Sequence, residues 1–106
     1  MIGSKHWTIS KGWIPPRGDE AVSFLNVGGA DAHVRMTMYY RNRKPVGPYR
    51  ITIPAGRMRR IHFDALEDPE PIPRAAAYAS TIESDVPIVV QPPAVPAEEA
   101  VGKKQR

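Results

Sequence analysis

Apolar and polar residues alternate most regularly over residues 32–40. The apolar side of this segment consists of Ala32, Val34, Met36, Met38 and Tyr40. Successive side chains leave a β-strand on opposite faces, so this alternation predicts a strand with one buried face. The pattern returns over residues 49–53 and, less regularly, over residues 57–63. In the last of these strands we expect the arginine end at a rim and Ile61 and Phe63 in the core.

Proline and glycine mark the predicted breaks between the strands. Residues 41–48, RNRKPVGP, are predicted to be a loop, because proline supplies no N–H to a strand ladder. Residues 54–56 are predicted to form a second turn. Residues 28–31 are predicted to be a tight hairpin turn that follows a strand over residues 21–27, since glycine accepts the positive φ that such turns need.

The N-terminal part of the chain contains both tryptophans. A first strand is predicted over residues 6–9, with Trp7 and Ile9 facing inward. Trp13 stands beside two consecutive prolines, which favours an apolar plug over one end of the core. The alternative is an aromatic platform on which a sugar or a base stacks.

The C-terminal part is predicted to hold two strands, over residues 75–83 and 86–91, with a break at Ser84-Asp85. The second is a continuous apolar run, which is typical of a strand buried on both faces. If one of those faces lies outside the core, it is expected to be a subunit contact. Residues 92–106 are rich in Pro, Ala and charge, and are predicted to be a disordered or extended tail.

Length and composition favour a single all-β domain over residues 1–91. The chain has 106 residues with 12 prolines and 8 glycines, and it lacks a helical period of useful length. A core of this size gains from oligomerisation. The chain has no cysteine, which suits a reducing compartment. No apolar run resembles a signal peptide or approaches the roughly 20 residues of a membrane helix, so we expect a soluble, cytoplasmic protein.

The charge is concentrated in residues 33–63. This segment holds eight of the fifteen Lys and Arg residues and no Asp or Glu. It predicts a docking surface for nucleic acid, an acidic protein face or an anionic lipid surface. The alternative is a solvated sheet face whose basic side chains protect its edges. The candidate basic surface consists of Arg41, Arg43, Lys44, Arg50, Arg57, Arg59 and Arg60.

The segment after Phe63 is acidic instead, with four carboxylates in residues 64–70. Their spacing does not match a calcium-binding EF-hand loop, and three nearby prolines stiffen the backbone. A solvated acidic loop is the preferred interpretation. Such a loop could also meet the basic segment of a neighbouring subunit, since opposite charges would then face each other across an interface.

The sequence contains no recognisable catalytic motif. His6, His33 and His62 are far apart in sequence, and there is neither a nucleophile elbow nor a zinc-protease motif. We therefore expect a protein that is not an enzyme and has no metal or cofactor. The alternative to a signalling adaptor is a module that binds a carbohydrate or another small ligand. It would use rings from the set Trp7, Trp13, Tyr39, Tyr40 and Tyr49, with Trp13, Tyr39 and Tyr49 as the candidate ligand aromatics.

Several stretches in order resemble the sensory rhodopsin transducer family. They are Gly12-Trp13-Ile14-Pro15-Pro16, Leu25-Asn26-Val27-Gly28, Asp31-Ala32-His33-Val34, Tyr39-Tyr40, Lys44-Pro45-Val46-Gly47-Pro48-Tyr49-Arg50, Pro54-Ala55, Asp68-Pro69, Pro71-Ile72-Pro73, Ala79-Ser80 and Ser84-Asp85-Val86-Pro87-Ile88-Val89-Val90-Gln91. The matched region covers roughly residues 6–91.

The resemblance implies a small antiparallel β-sandwich, similar to a jelly-roll, that assembles as a cyclic homotetramer. It also implies a non-enzymatic soluble partner of a microbial sensory rhodopsin or other membrane receptor, with a proposed link to DNA. The sandwich is similar to carbohydrate-binding jelly-rolls as well. After Gln91 the chain departs from the family pattern, because Pro92-Pro93 replaces a polar, basic continuation.

Overall fold

Seven β-strands form nearly all the regular structure of the described chain. The computed structural model describes residues 2–16 and 20–92 and the backbone of Glu98–Glu99. The strands are β1 (Ser4–Ile14), β2 (Ala21–Asn26), β3 (Ala32–Tyr40), β4 (Arg43–Ile53), β5 (Arg57–His62), β6 (Ala76–Gln91) and β7 (Glu98–Glu99). A short 3-10 helix, Phe63–Ala65, follows β5.

The strands pair antiparallel in one curled sheet, in the order β4-β3-β6-β1-β7, while β2 pairs with β5 and with the end of β6. We call the part built on β4, β3, residues 76–84 of β6 and β1 the β3 wing. The part built on β5, β2 and residues 89–91 of β6 is the β2 wing. The all-β antiparallel prediction is confirmed, and the division into two packed sheets of a sandwich stays a prediction.

Strand β6 belongs to both wings. Its first half pairs with β1 and β3, and the pairing with β3 ends at Ser84. Ile88 still pairs with Ser4 of β1, and Val89–Gln91 pair with β2. The predicted break at Ser84-Asp85 is therefore wrong, because the strand continues for 16 residues while its partners change. Ser84 and Asp85 lie where β6 leaves β3, and two polar residues at such a point resemble a turn when only the sequence is read.

One hydrophobic core lies inside the curl and takes side chains from both wings. The alternation over residues 32–40 is confirmed, since Val34, Met36 and Met38 are almost fully buried. Trp7 is also buried, as predicted, and its indole N–H donates to the carbonyls of Ser4 at 3.0 Å and Ile88 at 2.9 Å. This ring therefore fills the core and ties β1 to β6.

The connection from β2 to β3 is not the predicted hairpin turn, because β2 pairs with β5 and β6 rather than with β3. The buried Asn26 side chain organises this connection instead. Its Nδ2 donates to the carbonyls of Ala30 at 2.8 Å and Ile53 at 3.0 Å, and its Oδ1 accepts from the Gly28 N–H at 3.0 Å. One amide thus fixes the loop and joins the ends of β2 and β4.

The predicted loop over residues 41–48 is mostly strand. Only Arg41 and Asn42 form the turn, and β4 then runs through Pro45 and Pro48. Prolines are tolerated on an edge strand, and β4 pairs with β3 alone among the described strands. The pairing of β4 with β3 is irregular in this part, with register shifts between residues 36 and 40 of β3.

The prediction for β5 is confirmed. Ile61 and Phe63 are buried, and the arginines at the start of the strand are exposed. The predicted tail over residues 92–106 lies outside the described residues, except for Pro92 and the backbone of Glu98–Glu99. That two-residue strand pairs with Thr8 and Trp7 of β1.

Candidate functional site

The structure separates the candidate basic surface into two groups of three residues and Arg57, which belongs to neither. Arg41, Arg43 and Lys44 lie at the turn between β3 and β4. Arg50 lies seven residues beyond Arg43 in β4, which corresponds to about 20 Å at the usual rise of a strand. The seven basic residues therefore do not form one continuous patch.

The second group lines a groove of about 390 Å³ between β4 and β5, which we call the basic groove. Its cationic residues are Arg50, Arg59 and Arg60, and its other lining residues include Ile51, Ile61, His62 and Leu66. The Arg59 guanidinium donates to the Thr52 carbonyl at 2.9 Å, which holds β5 close to β4. The side chains of Arg50 and Arg60 form no ion pair or hydrogen bond with the described residues, so both are free to meet an external anion.

Arg57 does not line the basic groove. It lies at the end of the Pro54–Gly56 turn, where its side chain donates to the Gly56 carbonyl at 3.3 Å. The turn itself is confirmed by the hydrogen bond from the Arg57 N–H to the Pro54 carbonyl at 3.2 Å.

Acidic residues from β6 lie beside the basic segment, which sequence reasoning missed. On the outer face of the β3 wing, Arg35 lies opposite Arg50 on one side and Glu83 on the other. Arg35 and Glu83 form an ion pair with 2.9 Å between nitrogen and oxygen. Glu83 and Asp85 are two residues apart in β6, so both carboxylates lie on the same face of the strand. Only the strand order shows that this face neighbours β3.

His33 and Asp85 form a second pair on this face. The backbone N–H of His33 donates to Asp85 Oδ1 at 2.8 Å, and its ring Nδ1 lies 2.7 Å from Asp85 Oδ2. The side-chain hydrogen bond to the carboxylate raises the pKa of His33 above 6.5. The hydrogen bond from the His33 backbone is the main cause that lowers the pKa of Asp85 below 3.8.

The first basic group borders a cleft of about 470 Å³, which we call the aromatic cleft. Its walls are formed by Trp13, Tyr40, Arg41, Asn42, Arg43, Pro73 and Ala75–Ala77. The prediction that Trp13 plugs the core is wrong, since 56% of the residue is exposed. Trp13 of β1 pairs with Ala77 of β6 and borders the cleft.

Arg43 is held against one side of this cleft. Its guanidinium carbon lies 5.3 Å from the centre of the Tyr40 ring, and it forms an ion pair with Glu70 of the acidic loop. The Tyr40 hydroxyl is buried and has no hydrogen-bond partner among the described residues, and burial raises the pKa of Tyr40 to about 12. Arg41 is exposed and forms no ion pair within the described part of the chain.

The other candidate aromatics do not converge on this cleft. The prediction of Tyr49 as a ligand aromatic is wrong, because the residue is 1% exposed and its hydroxyl donates to the Glu70 carbonyl at 2.6 Å. Tyr39 is partly exposed, and its hydroxyl lies 3.3 Å from Thr81 Oγ1. Of the five rings, Trp13 and Tyr39 offer the most surface to a ligand.

The described residues hold no cluster of three or more histidines or carboxylates that could bind a metal ion. No helix in the described ranges is both long enough and apolar enough to cross a membrane.

Comparison with known proteins gives the family. The family model described as Anabaena sensory rhodopsin transducer matches residues 2–100. The chain belongs to this family. A solved structure of the Anabaena sensory rhodopsin transducer is 50% identical, with a TM-score of 0.82 over 87% of this chain and 98% of the other. The chain is similar to it in fold as well as in sequence.

A second solved structure, described as Thermotoga maritima 1070, is 29% identical with a TM-score of 0.74. The similarity covers 85% of this chain and 78% of the other. No curated protein matches the chain. Membership of the family supports a transducer-like role for the protein.

Proposed function

We propose that the protein is a non-enzymatic signalling adaptor that acts in the cytoplasm by binding a membrane receptor of the sensory rhodopsin class. The observation that supports this most is the family match over residues 2–100, together with 50% identity to a solved sensory rhodopsin transducer. In this proposal the curled sheet closes as a jelly-roll-like β-sandwich, and four chains assemble as a cyclic homotetramer.

The basic groove is the proposed docking surface. Arg50 and Arg60 are exposed and lack partners among the described residues, and Arg59 is positioned by its bond to Thr52. Cations in a groove attract an acidic loop of a receptor or anionic headgroups around it, and this raises the association rate. A cyclic assembly would repeat the groove around one axis, so that weak contacts reinforce each other.

Binding to a retinal-loaded sensory rhodopsin in nanodiscs of zwitterionic lipid tests this proposal. The double variant Arg50→Ala/Arg60→Ala should bind about 10-fold more weakly, because two exposed charged contacts are lost. Lys5→Ala/Lys11→Ala removes the same charge from exposed positions of β1 and should bind like the original chain. Failure of the original chain to bind the receptor would reject the adaptor role, and equal binding by both double variants would reject the groove.

DNA is tested as a further partner with the same variants. A duplex that docks in the basic groove should be released steeply by added salt, because bound cations displace counterions from the phosphates. Arg50→Ala/Arg60→Ala should flatten that dependence. Binding to DNA that salt does not weaken would contradict this contact.

A second candidate function is the binding of a carbohydrate in the aromatic cleft. The observation that favours it is the exposed Trp13 ring beside Arg41 in a cleft of about 470 Å³, a volume that suits a small ligand. A glycan screen followed by tryptophan fluorescence tests it. A saturable change in fluorescence should appear with the sugar and disappear in Trp13→Ala, whereas a screen without any binding sugar would reject this function.

A further inference from the structure

Strands β4 and β5 follow each other in sequence but do not pair with each other. The turn over residues 54–56 joins them, and it is closed by the hydrogen bond from the Arg57 N–H to the Pro54 carbonyl. Beyond the turn, β4 pairs with β3 and β5 pairs with β2. The basic groove is therefore the space between two strand edges, and neither edge has a strand partner on this side among the described residues.

Two residues of β4 turn their backbone groups towards this space. The Thr52 carbonyl accepts from the Arg59 guanidinium at 2.9 Å, so it points away from β3. His33, which lies opposite Thr52, donates its own N–H to Asp85 and not to β4. In an antiparallel ladder the N–H and C=O of one residue point to the same side, and the residue two positions away repeats this direction. The N–H and C=O groups of Arg50 and Thr52 therefore lie on the free edge of β4.

The chemistry of this edge selects a polypeptide as its occupant. An unpaired strand edge is a template for a further strand, which supplies N–H groups and carbonyls of its own. A phosphate from a headgroup or a nucleic acid could meet the charges of Arg50 and Arg60, but it has no N–H for the carbonyls of Arg50 and Thr52. An extended peptide satisfies both kinds of backbone group.

The charges of the groove indicate the sequence of that peptide. The described residues that line the groove include three arginines and no Asp or Glu. Arg50 and Arg60 are exposed on opposite walls, so a strand between them would have a cation on either side. Since side chains alternate along a strand, carboxylates at every second position would all lie on the exposed face beside these two cations.

We propose that an extended acidic segment of the docking partner enters the basic groove as an added strand of β4. Its backbone pairs with the N–H and C=O groups of Arg50 and Thr52, and its carboxylates meet Arg50 and Arg60. The Arg59 guanidinium then yields the Thr52 carbonyl to an N–H of the peptide. This inference rests on the proposed function and adds the kind of polypeptide that the groove takes and the way in which it is held.

Amide hydrogen exchange of the full chain, followed by NMR, tests this with a short blocked peptide in which Glu and Thr alternate. Saturating peptide should slow the exchange of the Arg50 and Thr52 amides by about 10-fold or more, because these groups become hydrogen-bonded. The amides of Ile51 and Ile53 face β3 already and should change little, so they serve as internal controls. A peptide with Gln in place of Glu should bind more weakly, since it lacks the charge.

Changes to the backbone of either partner separate strand addition from contacts through side chains alone. Methylation of the peptide amides in one alternating set should weaken binding about 10-fold or more, and methylation of the other set should have little effect. Thr52→Pro removes an N–H from the free edge without removing a bond to β3, and it should also weaken binding. Thr52→Val keeps that N–H and should bind the peptide like the original chain.

The outcomes distinguish this inference from the proposed function. A peptide that fails to bind, that binds without slowing the Arg50 and Thr52 amides, or that is weakened equally by both methylated sets would overturn the inference. Receptor binding in nanodiscs decides the proposed function separately. If the chain fails to bind the receptor but the peptide slows these two amides, the adaptor role is rejected and strand addition to β4 is supported.

Discussion

The buried amide of Asn26 allows a quantitative test of how the strand ends are held. Asn26→Ala removes three hydrogen bonds, to Ala30, Ile53 and Gly28, that are 2.8 to 3.0 Å long. At a net contribution of about 1 kcal/mol each, their loss should lower the free energy of unfolding by about 3 kcal/mol. The buried site raises the expected loss towards about 5 kcal/mol, because the Ile53 carbonyl would lose a buried donor.

Urea denaturation followed by tryptophan fluorescence measures this change, at one protein concentration because assembly would add to stability. The transition of Asn26→Ala should move to lower urea with an unchanged slope. Asn42→Ala is the matched control. Asn42 is exposed in the turn between β3 and β4 and has no side-chain hydrogen bond in the described structure, so we expect a change within about 0.5 kcal/mol.

Asn26→Asp tests the two bonds that the Asn26 Nδ2 donates separately from the one that its Oδ1 accepts. The aspartate keeps an oxygen for the Gly28 N–H but places a carboxylate against the carbonyls of Ala30 and Ile53. It should therefore be at least as unstable as Asn26→Ala. A loss below about 1 kcal/mol for Asn26→Ala, or a stable Asn26→Asp, would refute the view that this amide fixes the ends of β2 and β4.

Three further predictions concern other contacts. Tyr49→Phe should lower the free energy of unfolding by about 1 kcal/mol in urea, since its hydroxyl bonds the acidic loop. Gly12→Ala should lower it by about 1–3 kcal/mol, because a Cβ there would clash with the Tyr78 ring; a neutral result would contradict this packing. NMR titration should show a pKa for His33 above 6.5, which Asp85→Asn returns to about 6.5. Because the folded pKa of His33 is the higher one and that of Asp85 the lower one, this pair's contribution to stability is complete between about pH 3.8 and pH 6.5. It is lost as pH rises through the folded pKa of His33, and also as pH falls through the folded pKa of Asp85.

The sequence predicted those parts of the fold in which one face is apolar and the strand is regular. The alternation in β3 is confirmed because every second side chain enters the core. The prolines of β4 were misinterpreted because their meaning depends on position. An edge strand tolerates Pro45 and Pro48, and the sequence does not show that β4 lies at an edge.

The error at Trp13 has a local physical reason. The pairing of β1 with β6 shifts between Ile9 and Gly12, so the inward positions change from Trp7 and Ile9 to Ile14. One extra residue in a strand reverses the faces beyond it, and this turns Trp13 outward. Gly12 gave a weak signal of the irregularity, since glycine inside a strand often marks a bulge.

The candidate site was only partly predictable, because its charges meet across elements that are distant in sequence. The arginines were identified correctly as exposed cations. Their separation follows from the length of β4, while the ion pairs of Arg35 with Glu83 and of Arg43 with Glu70 depend on strand order and loop path. The alternation of residues along one segment does not show the strand order or the path of a loop.

The sharing of β6 between the wings has a consequence for how the protein unfolds. Neither wing can release β6 without taking a strand from the other wing, so the two parts should open together rather than one after the other. The amides of β6 should then exchange with solvent most slowly, at a rate set by global unfolding.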